Sequence, residues 1–436
     1  MVTDTSAEST SLFARPWIQL VLGIICMAAV ANMQYGWTLF VDPIDQQFHW
    51  GRAAIQVAFT IFVAIETWLV PVEGYLVDRF GPRPVVIGGG ILVAIAWSLN
   101  SVANSLGTLY FAAAIGGIGT GAVYGTCVGN ALKWFPARRG LAAGFTAAGF
   151  GAGAALTIAP IQTMIASSGF QHAFMFFGLL QGVIVLVAAM GLLVAPPSYL
   201  AAAPKRSISA RSFTPTEVLQ KPVFYVMYLM FFLVAAGGLV LIANMAPIAK
   251  DMKVAKTMVE LFGITMVAGT FAIKLQRILD GIGRPFFGWV SDHIGRENTM
   301  AIAFLIGAAS LFIVSRAGTN PVVFVLLTGL YFGVFGEIYS LFPATQGDTF
   351  GAKYAAANAG MLYTAKGAGS FVVPFATAIG TAHGWNSVFA LAMTGNVIAA
   401  LLALFVLKPM RVKHFEAIRA ETGPAPAAAM QHAPGH

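Results

Sequence analysis

Apolar runs of about 17 to 26 residues alternate with short charged or Pro/Gly-marked breaks along almost the whole chain. Their cores fall near 17–40, 54–76, 84–102, 107–131, 140–165, 171–195, 222–247, 257–283, 299–315, 321–345, 355–380 and 384–407. At about 1.5 Å of rise per residue, each can cross a hydrocarbon layer about 30 Å thick. The pattern therefore predicts an all-α membrane protein of twelve transmembrane helices. The segment before the first run carries Asp4 and Glu8 and lacks a basic region and a small-residue cleavage site, so that run reads as a retained helix, not a signal peptide.

The longest break follows the sixth run and is rich in Pro, Ser, Lys and Arg. It predicts a six-helix half over 1–195, a cytoplasmic linker over 196–221, a second six-helix half over 222–410, and a cytoplasmic tail over 411–436. From Glu421 that tail is Pro/Ala-rich, and it is expected to be disordered.

Composition agrees with the pattern: 58% of residues are hydrophobic and only 10% charged, against about 25% charged in soluble domains. The net charge of +8 could imply nucleic acid or anionic lipid, so the placement of the cations decides. Sixteen Lys and Arg residues fall on one side of the predicted membrane, against Arg52, Lys250, Lys253, Lys256 and Arg316 on the other. Loop cations thus account for the basicity without nucleic acid, and the asymmetry puts both termini in the cytoplasm, with the bacterial-type inner membrane as the expected site. Cys26 and Cys127 lie inside apolar runs and suggest neither a disulfide framework nor a metal cluster. No nucleotide-binding Lys-Ser/Thr loop, metal-ligand His pair or nucleophile elbow occurs, so no catalytic residue, metal or cofactor is expected, and solute gradients would supply the energy.

The two halves repeat each other. PVEGYLVDRFG (Pro71 to Gly81) and PFFGWVSDHIG (Pro285 to Gly295) match in Pro, Gly, Asp and Gly at an offset of 214. At 215, Tyr124 and Phe135 fall on Tyr339 and Phe350; at 216, the run from Gly144 falls on that from Gly360. Such a parallel duplication of a six-helix unit is the architecture of transporters with two rocking halves. Gly74, Asp78 and Arg79, with Gly288, Asp292 and Arg296, then read as a conformational-switch loop whose charges bond helix ends in one state and release them in the other.

Four cations remain inside predicted spans: Lys274, Arg277 and Arg284, with Asp280 on the same helical face, and Lys366. Arg284 lies about 12 Å and Lys366 about 15 to 20 Å from the nearest charged loop, close to mid-membrane. A cation there disfavours insertion by about 2.5 to 3.5 kcal/mol and usually faces a cavity, a partner or a substrate path. The repeat supplies a control: Arg284 corresponds to Val70 and Lys366 to Phe150, so the duplicated scaffold folds without these cations. One reading makes both of them ligands of a small anion. The other pairs Arg284 with Asp280, and Lys366 with Glu66 or Glu337; those carboxyls could instead take up protons. Lys274 and Arg277, nearer the far end of their helix, read as snorkelling or vestibule cations. Trp37 fits either the pocket wall or an interfacial belt.

At these residues the chain resembles the major facilitator superfamily, whose loop signature stands here as Gly74 to Arg83 and again, degraded, as Gly288 to Arg296. More narrowly it is similar to the oxalate/formate antiporter family, in MQYGWTLF (Met33 to Phe40), GAVYG (Gly121 to Gly125), WFPARRGLAAGF (Trp134 to Phe145), GRPFFGWVSD (Gly283 to Asp292), YSLFP (Tyr339 to Pro343) and YTAKGAGS (Tyr363 to Ser370). The resemblance implies exchange of small carboxylates, with Gln34, Tyr35, Tyr124, Arg284, Tyr339 and Lys366 at binding positions. Phe335 and Tyr363 stand where the oxalate-specific pattern favours Trp, implying a related cage of different size, and Glu66 and Glu337 also depart from that pattern.

The expected activity is therefore exchange of oxalate for formate or a similar small organic anion by a transporter acting as a monomer in the bilayer. Two unpaired cations would resist occlusion without an anion, which favours obligatory exchange. The alternative is a proton-coupled symporter of a monocarboxylate such as pyruvate or lactate. A sensor on a transporter scaffold would need a larger cytoplasmic domain than the loop and tail provide.

Overall fold

A computed structural model describes residues 12–135, 139–196, 211–351 and 354–422. The surroundings of Gly74, Asp78 and Arg139 lie outside the described set, as do Arg138, Lys205, Arg206, Lys353, most of the linker and the tail beyond 422.

Among the described residues the chain folds into twelve membrane-length rods. In the first half these are α1 (Pro16–Phe48), α2 (52–80), α3 (Pro82–Ser101), α4 (Leu106–Trp134), α5 (139–168) and α6 (170–190). The second half holds α7 (Pro222–Asp251), α8 (Ala268–Ile294), α9 (Arg296–Ala317), α10 (Pro321–Phe350), α11 (355–383) and α12 (385–422). Eight helical stretches are long and apolar enough to cross a membrane, and one of them, Gly144–Met190, breaks at Gly169 into two passes. The three rods that complete the twelve are α2, α8 and α11, and each carries buried charge in its middle: Glu66; Arg277, Asp280 and Arg284; and Lys366.

Local chemistry sets the boundaries. α1, α3, α7 and α10 open with Pro in the first turn, where its missing N–H costs no helical bond. The Asn320 side chain accepts from the N–H groups of Val322 and Val323 to cap α10. Gly81 (φ 82°) and Gly295 (φ 89°) end the repeated loop motif in a conformation that L side chains rarely adopt, so the 214-residue offset is also a repeat of backbone shape.

Two boundaries differ from the expectations. The eighth span begins at Ala268, not 257, because a hairpin precedes it: β1 (Met258–Leu261) pairs antiparallel with β2 (Ile264–Val267) across a turn at Phe262 and Gly263, both at positive φ. Eight strand residues flank a Phe-Gly turn, and alternation with Glu260 and Thr265 suits a short ribbon better than a membrane helix. The tail, expected to begin at 411, continues α12 as helix to Thr422. Burial holds it there: Arg411 ion-pairs with Glu297 and donates to Thr349 Oγ1 at 2.8 Å, and Ile418 is 4% exposed.

The halves meet along α1, α2 and α5 on one side and α7, α8, α10 and α11 on the other. Towards the Arg52 end, Arg52 bridges Asp42 (2.8 Å) and Asp251 (2.6 Å), and Lys250 reaches Asp42 at 3.1 Å. One turn deeper, Gln56 donates to Ala243 O at 2.8 Å and Asn244 Oδ1 at 3.1 Å, and the Ala246 N–H donates to Thr38 Oγ1 at 2.8 Å. These bonds all join one half to the other, except Arg52 to Asp42, and so close that end of the interface above the buried charges.

Candidate functional site

Buried charges of both signs and a set of rings gather where broken rods cross. α1 is interrupted at Ala31 and Gly36–Trp37, α2 at Leu69, α10 at Gly336–Glu337 and α11 at Phe371. Lys366 of α11 donates to Glu66 Oε2 at 2.9 Å, to Gln34 Oε1 at 2.9 Å and to the Tyr363 hydroxyl at 3.2 Å. Arg284 of α8 donates to Asp280 Oδ2 at 2.9 Å, to the Tyr35 hydroxyl at 3.1 Å and to the Ala147 carbonyl at 2.9 Å. No more than 1% of Lys366, Glu66, Arg284 or Asp280 is exposed. The ring of Tyr339 joins the two clusters, with the Arg284 guanidinium 4.5 Å and the Lys366 ammonium 5.9 Å from its centroid.

Aromatic side chains wall this pair of clusters. Phe150 touches Tyr35 (centroids 5.5 Å apart) and Tyr124 (5.2 Å); Tyr124 stacks on Tyr363 at 5.8 Å, Tyr363 meets Tyr339 at 6.1 Å, and Phe335 meets Tyr339 at 5.7 Å. All eight residues expected at binding positions thus fall in one connected cluster. The repeat is visible in it, because Phe150, the first-half counterpart of Lys366, lies 5.9 Å from that ammonium.

Both ion-pair alternatives open in the sequence are realised, Arg284 with Asp280 and Lys366 with Glu66. The expectation that two unpaired cations would resist occlusion is therefore corrected: an internal carboxylate neutralises each. Glu337 does not pair with Lys366; it is fully buried, and both its carboxylate oxygens lack a hydrogen-bond partner among the described residues. Arg277 is not a snorkelling cation. It is 0% exposed and held between the rings of Tyr35 (4.5 Å) and Phe332 (4.8 Å), because its face of the helix turns into the interface between the halves. Trp37 is a buried donor to Gln56 Oε1 at 3.0 Å, not a belt residue.

In the switch loop, Arg296 pairs with Asp292 (2.7 Å) and with Asp348 of α10 (3.2 Å), and it also bonds Ser291 Oγ. In the first-half loop, Arg79 lies with its guanidinium 5.5 Å from the Phe80 ring.

Sequence reading missed Glu73. Its side chain is 3% exposed in a notch that only glycine permits, for a Cβ on Gly121 would collide with Glu73 Oε1. The available signal was its spacing of seven residues from Glu66, two turns along one face.

A crossing of broken, duplicated helix bundles with cations buried between the halves defines a membrane transporter. The family description Major Facilitator Superfamily matches residues 20–280 and 254–433, and the chain belongs to that family of secondary transporters. It is 35% identical to the oxalate:formate antiporter of Oxalobacter formigenes over 94% of this chain and 96% of that one. It is 27% identical to human monocarboxylate transporter 11 over 71% of this chain and 70% of that one. A crystal structure of a mutant of peptide transporter POT in complex with alafosfalin shares the fold, with a TM-score of 0.69 over 91% of this chain and 95% of that one at 14% identity.

Proposed function

We propose that this transporter exchanges small carboxylates, oxalate for formate being the first pair to test, by alternating access across a bacterial-type inner membrane with both termini in the cytoplasm. The observation that carries the reading is the pair of buried cations on separate helices, Arg284 and Lys366, facing one tyrosine ring between the halves. Arg284 offers a planar fork for a carboxylate and Lys366 a compact charge, so a small dianion can engage one with each end. Gln34, Tyr35 and Tyr363 already bond these cations and would donate to or orient the anion; Tyr124, Tyr339 and Phe335 would set the size of the cage. The 35% identity to the oxalate:formate antiporter supports the same substrate class. Asp280 and Glu66 would be displaced as the anion binds, and the Asp292–Arg296 and Asp78–Arg79 loops would break and remake as the halves rock. The chain would act as a monomer, each molecule containing both halves of the path.

A second reading is proton-coupled symport of a monocarboxylate such as pyruvate or lactate. The unpartnered, buried Glu337 favours it, with Glu66 and Asp280 as further proton sites, and so does the likeness to a monocarboxylate transporter. Counterflow in proteoliposomes separates the two. Exchange requires that labelled oxalate enter only vesicles preloaded with oxalate or formate. Uptake of a labelled monocarboxylate into vesicles containing no anion, driven by an inward proton gradient and lost in E337Q, would overturn exchange in favour of symport.

A further inference from the structure

Arg277 is a third buried cation, and the two ion pairs leave it over. Its guanidinium is fully buried between Tyr35 and Phe332, its one side-chain hydrogen bond goes to Gln276 Oε1 at 3.3 Å, and Nε and Nη1 have no partner among the described residues. Asp280 stands three residues after Arg277 and four before Arg284, so all three share one helical face. Only one oxygen of Asp280 is engaged: Oδ2 accepts from Arg284 and Tyr35, whereas Oδ1 is buried without a partner among the described residues. Tyr35 touches all three, its ring against Arg277 and its hydroxyl donating to Asp280 at 3.1 Å and accepting from Arg284 at 3.1 Å. Two glycines hold Asp280 in this place. A Cβ on Gly151 would lie 2.9 Å from Oδ2, and one on Gly336, in the break of α10, would lie 2.8 Å from Oδ1.

We propose that Arg277 is a positioning residue that takes Asp280 over from Arg284 when a carboxylate binds, so that the arriving anion and Asp280 each have a guanidinium. The inference rests on the reading of Arg284 as an anion ligand. An anion entering the Arg284 fork competes with Asp280 for the same N–H groups, and a displaced Asp280 would otherwise be a bare charge in a dry interior. Arg277 has the two free donor nitrogens, the shared face and the common contact with Tyr35 that the exchange needs, and Asp280 already has a free oxygen. Stacking of the guanidinium between two rings keeps it charged and aligned without consuming those donors.

The test compares wild type, R277K, R277Q, D280N, R277Q/D280N and R284Q, each as full-length protein in proteoliposomes, by the half-saturating concentration and maximal rate of labelled oxalate counterflow. R277Q should raise the half-saturating concentration by about tenfold or more, within the usual range for coupled sites, because Asp280 then stays on Arg284. R277K should remain within about threefold of wild type, and R277Q/D280N should recover most of the loss, because a neutral amide in place of the Asp280 carboxylate needs no cation. Wild-type behaviour of R277Q, or failure of D280N to rescue it, would overturn the exchange of partners. If R277Q fails to insert, R277K and the double variant decide: an R277K as impaired as R284Q, or an inserted double variant without transport, refutes the proposal. A wild type that moves no oxalate and is indistinguishable from R284Q would instead remove the reading of the site itself.

Discussion

Removing the ammonium of Lys366 separates its part in holding the fold from its proposed part in binding an anion. Lys366 Nζ is 2.9 Å from Glu66 Oε2, and both side chains are 1% exposed. At an effective dielectric constant of about 20, unit charges at that separation attract by about 6 kcal/mol, and much of this offsets the cost of taking both out of water. K366Q abolishes the attraction and leaves the Glu66 carboxylate buried alone, which should destabilise the protein by about 3 to 5 kcal/mol. E66Q/K366Q removes both charges and should return to within about 2 kcal/mol of wild type, the remainder being lost neutral hydrogen bonds to Gln34 and Tyr363. E66Q alone frees the ammonium from its internal competitor and should lower the half-saturating concentration for oxalate. Tryptophan fluorescence during denaturation in detergent ranks the stabilities, and counterflow in proteoliposomes reads transport. The double variant should be stable and inactive. A double variant no more stable than K366Q would mean that the two charges do not compensate each other; one that still exchanges oxalate would mean that Lys366 is not the anion's ligand.

Two further outcomes follow from other parts of the interface. G151A adds a methyl 2.9 Å from Asp280 Oδ2 and 3.2 Å from Arg284 Nη2, and should destabilise the protein by about 1 to 3 kcal/mol while impairing counterflow; unchanged transport would show that the pair has room to move aside. D251N removes the carboxylate that Arg52 reaches across the halves at 2.6 Å, so a cysteine placed at Thr38 should react several-fold faster with a membrane-impermeant thiol reagent, in line with about 1 kcal/mol for a partly exposed bridge; an unchanged rate would show that Gln56 and Asn244 close that end without it.

Much of the architecture was readable in one dimension. Apolar run length is set by bilayer thickness, so the twelve spans follow from the chain alone, and their internal repeat groups them into two halves. The repeated Gly81 and Gly295, at φ 82° and 89°, end the same loop because only glycine takes that conformation readily. The repeat also separated Arg284 and Lys366 from the scaffold, by showing Val70 and Phe150 in the corresponding places. The start of α8 was not readable, because the residues of β1 and β2 are apolar enough to pass for membrane helix and only their pairing reveals a ribbon. Arg277 looked superficial for a different reason: position along a helix does not say which face turns inward, and only the packing shows it buried between Tyr35 and Phe332.

What sequence could not decide is which carboxylate meets which cation. Asp280 is local to Arg284, four residues away, so that pair was foreseeable from helical geometry. Glu66 and Glu337 were equal candidates for Lys366, each at similar depth on its own helix. Depth is a one-dimensional quantity, whereas contact depends on how helices rotate and pack. Only the crossing of α2 with α11 puts Glu66 within 2.9 Å of Lys366 and leaves Glu337 and the surplus cation Arg277, among the described residues, without charged partners of their own.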